Sequence, residues 1–218
     1  MDIADKLLKG EIEILGRLVQ ASNASLLCRI DGFRAIYKPI AGERPLWDFP
    51  EGNLAHREVA AFMVSEALGL SCVPKTILRD GPFGLGSVQL WVEDVEEVGE
   101  RYLEPSPQLR KIALLDAVIN NTDRKIGHLL FKDGVVLGCD HGVTFHQEYK
   151  LRTVLWQFAD LPLTSQEVEI LRNFKCDLSQ FITEQEILAL ENRIAYLLET
   201  GKFPLPPTDW PAIPWPPF

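Results

Sequence analysis

The sequence predicts an α+β chain in two lobes: a small antiparallel sheet carrying one helix over residues 1–92, then a mainly helical lobe over residues 93–204. Three observations predict it. Short apolar runs joined by tight-turn dipeptides fill the first 92 residues. Helical periodicities with explicit caps dominate the remainder. The two patterns change over at the acidic stretch 93–100.

Each element has a local cause. In Glu11-Ile12-Glu13-Ile14-Leu15, charge and apolar residues alternate at period 2, as on a half-buried strand. Leu26–Ile30 and Phe33–Tyr37 are the next two runs. Asp31-Gly32 between them suits a two-residue turn with positive φ at both positions. The polar loop Gln20–Ser25 joins the first two strands. After the Pro/Gly-bounded connection Pro45–Gly52, Asn53 is the expected N-cap of a helix and Gly69 its stop. Ala55, Val59, Phe62, Met63 and Ala67 give that helix one apolar face. Val73–Leu78 and Ser87–Val92 complete the sheet.

In the second lobe, Ser106-Pro107 opens a helix with Ser at the N-cap and Pro at the first helical position. Leu109, Ile112, Ala113, Asp116 and Ile119 follow its period. Leu129–Phe131 and Val135–Leu137 form a hairpin about Asp133-Gly134. Two late helices open with the capping boxes Thr164–Glu167 and Thr183–Glu186, and the last ends at Gly201. Residues 204–218 hold seven of the chain's 15 prolines and so are neither helix nor central strand. Residues 205–218 form a Pro/Trp-rich tail, whose Trp210, Trp215 and Phe218 are expected to pack back on the chain.

Composition narrows the function classes. The chain has 218 residues, 46% hydrophobic and 24% charged, which is a globular balance. Its net charge of −9 disfavours non-specific binding to nucleic acid or anionic lipid. No apolar run approaches the ~20 residues of a membrane span, and the first residues lack the pattern of a signal peptide. Cys28, Cys72, Cys139 and Cys176 form no Cys-x-x-Cys pair. The expectation is a soluble, cytoplasmic protein with no nucleic-acid partner and no stable membrane insertion.

Chemistry concentrates in three stretches. Lys38 ends a strand immediately before Pro39. Residues 120–128, Asn-Asn-Thr-Asp-Arg-Lys-Ile-Gly-His, cluster polar groups beyond what a helix-to-strand loop requires. Residues 138–142, Gly-Cys-Asp-His-Gly, place an acid and a histidine between glycines at a strand end. If Asp133-Gly134 is the turn, Lys132 faces Val135 and His128 faces Cys139, one step from Asp140. Strict alternation puts His128 and Asp140 on opposite faces, so the register must relax at the hairpin mouth or differ by one. With Asp123 nearby, one small volume would hold carboxylates, histidines and cations, the inventory for a divalent metal and a phosphate. No G-x-S-x-G nucleophile elbow is present.

The order strand Lys, helix Glu, Asp-containing loop, hairpin and Asp-x-Gly resembles the kinase-like fold in its atypical branch of phosphatidylinositol 3- and 4-kinases and HipA-type kinases. More closely, it is similar to a family of small actinobacterial phosphatidylinositol 3- and 4-kinase-like proteins. The resemblance spans about residues 8–200 and rests on Tyr-Lys-Pro-x-x-Gly-Glu at 37–43, Arg57-Glu58, Thr-Asp-Arg-Lys-x-x-His at 122–128 and Asp-His-Gly at 140–142. It implies a nucleotide site with ATP and Mg²⁺ or Mn²⁺ as cofactors. In it, Lys38 contacts the phosphates, Glu58 orients Lys38, and Ser22 and Asn23 belong to the loop over the phosphates. Gln89 to Val92 form the hinge beside the adenine. The resemblance makes Asp123 the catalytic-loop acid, places Lys125 beside the transferred phosphate, and gives the metal to Asp140 and His128.

Three departures from the pattern stand out. His128 replaces the expected metal-binding Asn, although magnesium prefers oxygen. Lys125 stands where lipid kinases carry His, and the phosphate loop has no glycine run. The resulting expectation is a phosphotransferase whose acceptor is unknown, with a protein side chain or a small alcohol favoured over lipid. The alternatives are a nucleotide-binding pseudokinase and an interaction module acting through its Pro-rich tail.

Overall fold

The computed structural model describes residues 3–18, 23–44, 46–49 and 53–218. Strands β1 (Glu13–Arg17), β2 (Leu26–Ile30), β3 (Phe33–Pro39), β4 (Thr76–Gly81) and β5 (Gly84–Leu90) pair antiparallel in the order β1-β2-β3-β5-β4. Helix α2 (Leu54–Ala67) packs against β4 and β5. The second lobe carries α3 (Pro107–Ile119), the hairpin β6 (Leu129–Lys132)–β7 (Val135–Gly138), α4 (Ser165–Arg172) and α5 (Glu184–Thr200). This is the predicted α+β arrangement, with one addition: a short helix α1 (Ile3–Lys9) that buries Leu7 beneath the sheet. Seven residues span barely two turns, too few for a periodicity to show.

Turn chemistry sets the registers. Asp31 and Gly32 have φ of 46° and 87°, and Asp133 and Gly134 have 49° and 76°, as type I′ turns require. The strand boundaries differ from expectation where the residues have a competing role. The first strand begins at Glu13 rather than Glu11 and carries a bulge between Ile14 and Gly16. The fourth begins at Thr76 because Pro74 has no N–H for a ladder and Val73 joins the core of the other lobe. The fifth begins at Gly84, three residues early. Gly86 there lies so close to the β3 backbone that a Cβ would sit 2.7 Å from the Pro39 Cα.

The helix ends follow local rules in all but one case. Gly69 at φ +64° closes α2 as a Schellman motif, with Leu70 N–H donating to Ser65 O and Gly69 N–H to Glu66 O, both at 2.9 Å. Ser106 Oγ caps α3 through the Leu109 N–H, and both Thr-x-x-Glu boxes form completely at α4 and α5. Asn53 is the exception. It takes a left-handed conformation and its side chain caps nothing. Glu43 Oε1 accepts from Ala55 N–H at 2.8 Å instead. The acid ending the 37–43 motif therefore fixes the start of α2.

The small core under the sheet consists of Leu7, Ile12, Cys28, Ile30, Ala35, Tyr37 and Val88. The large core joins α2 (Ala60, Ala61, Val64) to α3 (Leu109, Ile112, Leu115), the hairpin and α5 (Leu190, Ile194, Leu197). One face of α2 thus belongs to the packing of the second lobe. Arg57 strengthens that join from its buried position, pairing with Glu186 at 2.6 Å and donating to Thr144 O at 2.7 Å. Helix α2 can therefore carry Glu58 to the boundary between the sheet and the helices.

Candidate active site

A cavity of about 540 Å³ opens between the lobes, and Asn23, Lys38, Glu58, Asp123 and Asp140 all line it. A smaller one of about 180 Å³ adjoins it through Ser25, Lys38 and Asp140, and is walled by Ile36, Gln89, Trp91 and Val92 on one side and His128, Leu130 and Cys139 on the other. Lys125 lines neither but pairs with Asp123 at 3.3 Å. Ser22 lies outside the described residues.

Lys38, the penultimate residue of β3 before Pro39 ends the strand, points its ammonium at two carboxylates. It pairs with Glu58 of α2 and, at 2.8 Å, with Asp140 Oδ1. Burial alone would lower the ammonium pKa, but Asp140 and Glu58 reverse this and hold it above the usual lysine value. The Lys38 charge in turn holds the Asp140 carboxyl well below its ordinary range, against the effect of burial. Burial pushes Glu58 upward, opposed by Lys38 and by the His141 N–H, which donates to Glu58 Oε2 at 3.0 Å. Asp140 is thus the firmly ionised partner.

The hairpin delivers His128 and Asp140 together. Leu129 pairs with Gly138, and Cys139 N–H donates to His128 O at 3.0 Å, so the two-residue turn sets the register. The register relaxes at the mouth. His128 sits in a 3₁₀ turn and Asp140 at φ +57°, and the two side chains meet at 3.4 Å between Nε2 and Oδ2. His128 Nδ1 lies 2.9 Å from Asp123 O, an acceptor, so Nδ1 carries the proton. Burial lowers the His128 pKa, with Asp140 opposing, so the ring is neutral near pH 7. Its Nε2 lone pair therefore faces a carboxylate, two acceptors with no proton between them.

Asp123 is held by its own N–H, which donates to Asn121 Oδ1 at 3.0 Å. Burial raises its pKa, with Lys125 and His128 pulling the other way. On the sheet side, Asn23 Oδ1 accepts from Arg44 N–H at 2.9 Å and Ala24 N–H donates to Gly42 O at 3.2 Å, tying the loop over the cavity to the turn after β3. Gln89 spends its amide on Thr76 Oγ1 at 2.8 Å, so its side chain props the smaller cavity's wall.

Beneath the loop sits a group that spacing alone did not single out. Arg124 is fully buried and paired with the equally buried Asp116 of α3 at 2.9 Å. It also donates to His128 O at 3.2 Å and Cys139 O at 3.0 Å, and its Nη2 lies 2.7 Å from His141 Nε2. A Cβ at Gly138 would come within 3.0 Å of this guanidinium, so a side chain there would crowd Arg124 and His141. Accepting from Arg124 at Nε2 makes His141 the Nδ1–H tautomer. Among the described residues that Nδ1 has no partner.

Burial, with Arg124 next, holds the His141 pKa well below the usual value. The unfolded chain then binds a proton near pH 6.5 that the folded chain refuses, so stability falls as pH drops below about 6.5. The expected limit is about 1.4 kcal/mol per pH unit for one such histidine. Urea unfolding of the metal-free chain at pH 7 and 5 measures this, and His141→Gln should flatten the slope.

The tail packs back, and of the three expected rings Trp210 does so while Trp215 and Phe218 do not. Ala212 O accepts from Thr153 N–H at 3.0 Å and Trp156 Nε1–H at 2.8 Å, and Pro217 O accepts from Ile126 N–H at 2.8 Å. Trp210 lines the larger cavity, whereas Trp215 and Phe218 are 87% and 79% exposed. Backbone groups of the loop thus find partners in the tail, beside the packing of Trp210 and the buried Pro214.

Comparison with known proteins places this geometry. No family model matches the sequence. "Protein Rv2133c" of Mycobacterium tuberculosis is 38% identical over 259 aligned positions, covering 96% of this chain and 93% of that protein. "Phosphatidylinositol 4-kinase gamma 4" of rice is 31% identical over 130 positions, but the match spans 49% of this chain and 23% of the plant protein. Among solved structures, hydra Fam20 with sugar superposes with a TM-score of 0.64 at 13% identity, covering 91% of this chain and 86% of that one. The Golgi casein kinase gives 0.57 at 16% identity, covering 90% and 72%. The Helicobacter pylori proinflammatory kinase CtkA gives 0.50 at 12%, covering 90% and 94%. The fold is that of the atypical kinase-like enzymes, the phosphatidylinositol kinase match is partial, and the chain belongs to the family of the mycobacterial Protein Rv2133c.

Proposed function

We propose that this protein is an ATP- and divalent-metal-dependent phosphotransferase whose acceptor is a protein side chain or a small alcohol. The observation that carries the reading is the Lys38–Glu58–Asp140 cluster facing Asp123 across one cavity. Phosphoryl transfer asks a protein for charge neutralisation and positioning more than for covalent chemistry. Lys38, fixed by two carboxylates, meets nucleotide phosphates without reorganising. Asp123 orients the acceptor hydroxyl. As its oxygen bonds the γ-phosphorus and the bond to the departing ADP oxygen breaks, the hydroxyl proton passes to the Asp123 carboxylate. A raised carboxyl pKa suits that step. Lys125 adds positive charge beside the transferred group, and Trp91 and Val92 line the smaller cavity where the base would lie.

A divalent cation fits the residues present. Asp140 and His128 face each other 3.4 Å apart, a carboxylate and an imidazole of the kinds that hold a divalent cation together. Among the described residues no three His, Cys, Asp or Glu side chains converge as a metal cage. When bound, the ion would neutralise phosphate charge. The imidazole favours manganese or another softer ion more than the usual Asn would. Among the described residues no helix is long and apolar enough to cross a membrane.

One observation favours a pseudokinase instead: Asp140 already has Lys38 on one oxygen and His128 at the other. Thermal unfolding with ATP, with and without Mg²⁺ or Mn²⁺, beside Asp140→Asn, separates the readings. A ligand at ~100 times its Kd adds about 2.7 kcal/mol. A metal-dependent rise of several degrees in Tm, lost in Asp140→Asn, is the expected result. A metal-independent rise favours the pseudokinase, and no shift with any nucleotide overturns both.

A further inference from the structure

Arg152 has no part in the chemistry above, yet three hydrogen bonds tie it to the residues on either side of Asp123. Its N–H donates to Asn121 O at 2.9 Å, its carbonyl accepts from Arg124 N–H at 3.1 Å, and its Nε–H donates to Thr122 O at 2.6 Å. Arg152 lines the same cavity as Asp123, and its guanidinium lies 5.6 Å from the ring of Trp210, which the tail brings to it. Among the described residues it has no carboxylate within ion-pair distance, and its Nη groups donate to nothing.

The acids of the cavity wall are already answered. Glu58 and Asp140 face Lys38, Asp123 faces Lys125, Asp48 lies 3.9 Å from Lys150, and Glu43 takes the Ala55 N–H. What remains is a positioned fork of N–H donors beside the proposed base. Such a fork matches an oxyanion in two parallel bonds.

We propose that Arg152 is the specificity residue of the acceptor site and that the acceptor is an alcohol bearing a phosphate or carboxylate, its hydroxyl at Asp123 and its anion on Arg152. This rests on the phosphotransferase reading. Trp210, lining the same cavity with its ring 5.6 Å from the guanidinium, would give the docked tail a role in recognition. The anion is either that of a soluble metabolite or that of a lipid headgroup, and the chemistry is shared.

The test uses the full chain and two titrations. ADP with Mg²⁺ is titrated first, by calorimetry. Glycerol 3-phosphate and glucose 6-phosphate are then titrated with ADP present and absent, against glycerol and glucose as neutral parents. Phosphatidylcholine vesicles with and without phosphatidylinositol form a separate arm. The expected result is that phosphorylated probes bind about 10-fold or more tightly than their parents. Arg152→Gln should erase that margin while leaving ADP affinity unchanged, and Arg152→Lys should restore part of it, which a merely structural role would not do. Vesicle binding lost in Arg152→Gln supports the same recognition on a headgroup. Equal binding of charged and neutral probes, binding that survives Arg152→Gln, or no binding by any probe overturns the proposal. Failure of ADP alone counts against the nucleotide site, since the probes are also titrated without it.

Discussion

Arg124→Met is expected to destabilise the folded chain by on the order of 3–5 kcal/mol, the usual result of removing one partner of a buried ion pair. The reason is what the substitution leaves behind. Asp116 would remain fully buried with its charge unanswered, keeping only the Asn121 amide at 2.9 Å. The carbonyls of His128 and Cys139 would lose their donor, and His141 Nε2 would lose the Arg124 N–H it accepts. These groups belong to α3, the loop and both ends of the hairpin, so the loss falls on the joint that sets the whole site. Arg124→Lys should recover little, because one ammonium cannot reach all four partners of a planar fork. Asp116→Leu combined with Arg124→Met should regain part of the loss, since apolar replacement of a buried pair is often close to neutral. Urea unfolding with an unchanged m-value is the measurement. A loss under about 1 kcal/mol would place the pair with solvent-screened bridges instead.

That hub shows where legibility from the sequence ends. The hairpin register was readable because a two-residue turn leaves no freedom: Lys132 opposite Val135 forces Leu129 opposite Gly138. The meeting of His128 and Asp140 needed more, since alternation separates them. It is made by the 3₁₀ turn at His128 and the positive φ of Asp140, both fixed by Arg124 bonding the carbonyls around them. Tertiary hydrogen bonds of that kind have no periodicity to detect. Glu58 was found through the order of motifs. Asn53 looked like a cap by residue type, but a distant acid does that work. Trp210 is legible as a tail ring that packs back, but its place beside Arg152 is not, because segments far apart in the chain bring the two to the loop. Arg152 itself carries no sequence signal, since one arginine in a loop has neither period nor motif.

Asp123→Asn is expected to lower turnover by roughly 10²–10⁴-fold while leaving nucleotide binding in place. A carboxamide can hold the acceptor hydroxyl but cannot accept its proton, so the loss belongs to the chemical step. The substitution gives up the Lys125 ion pair but keeps the backbone of residue 123 in place. Asn121 Oδ1 bonds the residue 123 backbone at 3.0 Å and His128 Nδ1–H bonds its carbonyl at 2.9 Å, and neither depends on the carboxylate. ADP release, with water as the default acceptor, measures turnover, and the metal-dependent Tm rise measures binding. Wild-type turnover should also fall toward acid pH as the carboxylate protonates, and the burial-raised pKa of Asp123 moves that limb nearer neutrality than an ordinary aspartate would. Asp140→Asn is expected to differ by losing the metal-dependent Tm rise as well, because its oxygens face Lys38 and His128. Turnover in Asp123→Asn equal to wild type would remove Asp123 from the role of base. Wild-type turnover no faster than buffer, with nucleotide bound, would make the Lys38–Asp140 pair the resting contact of a nucleotide sensor.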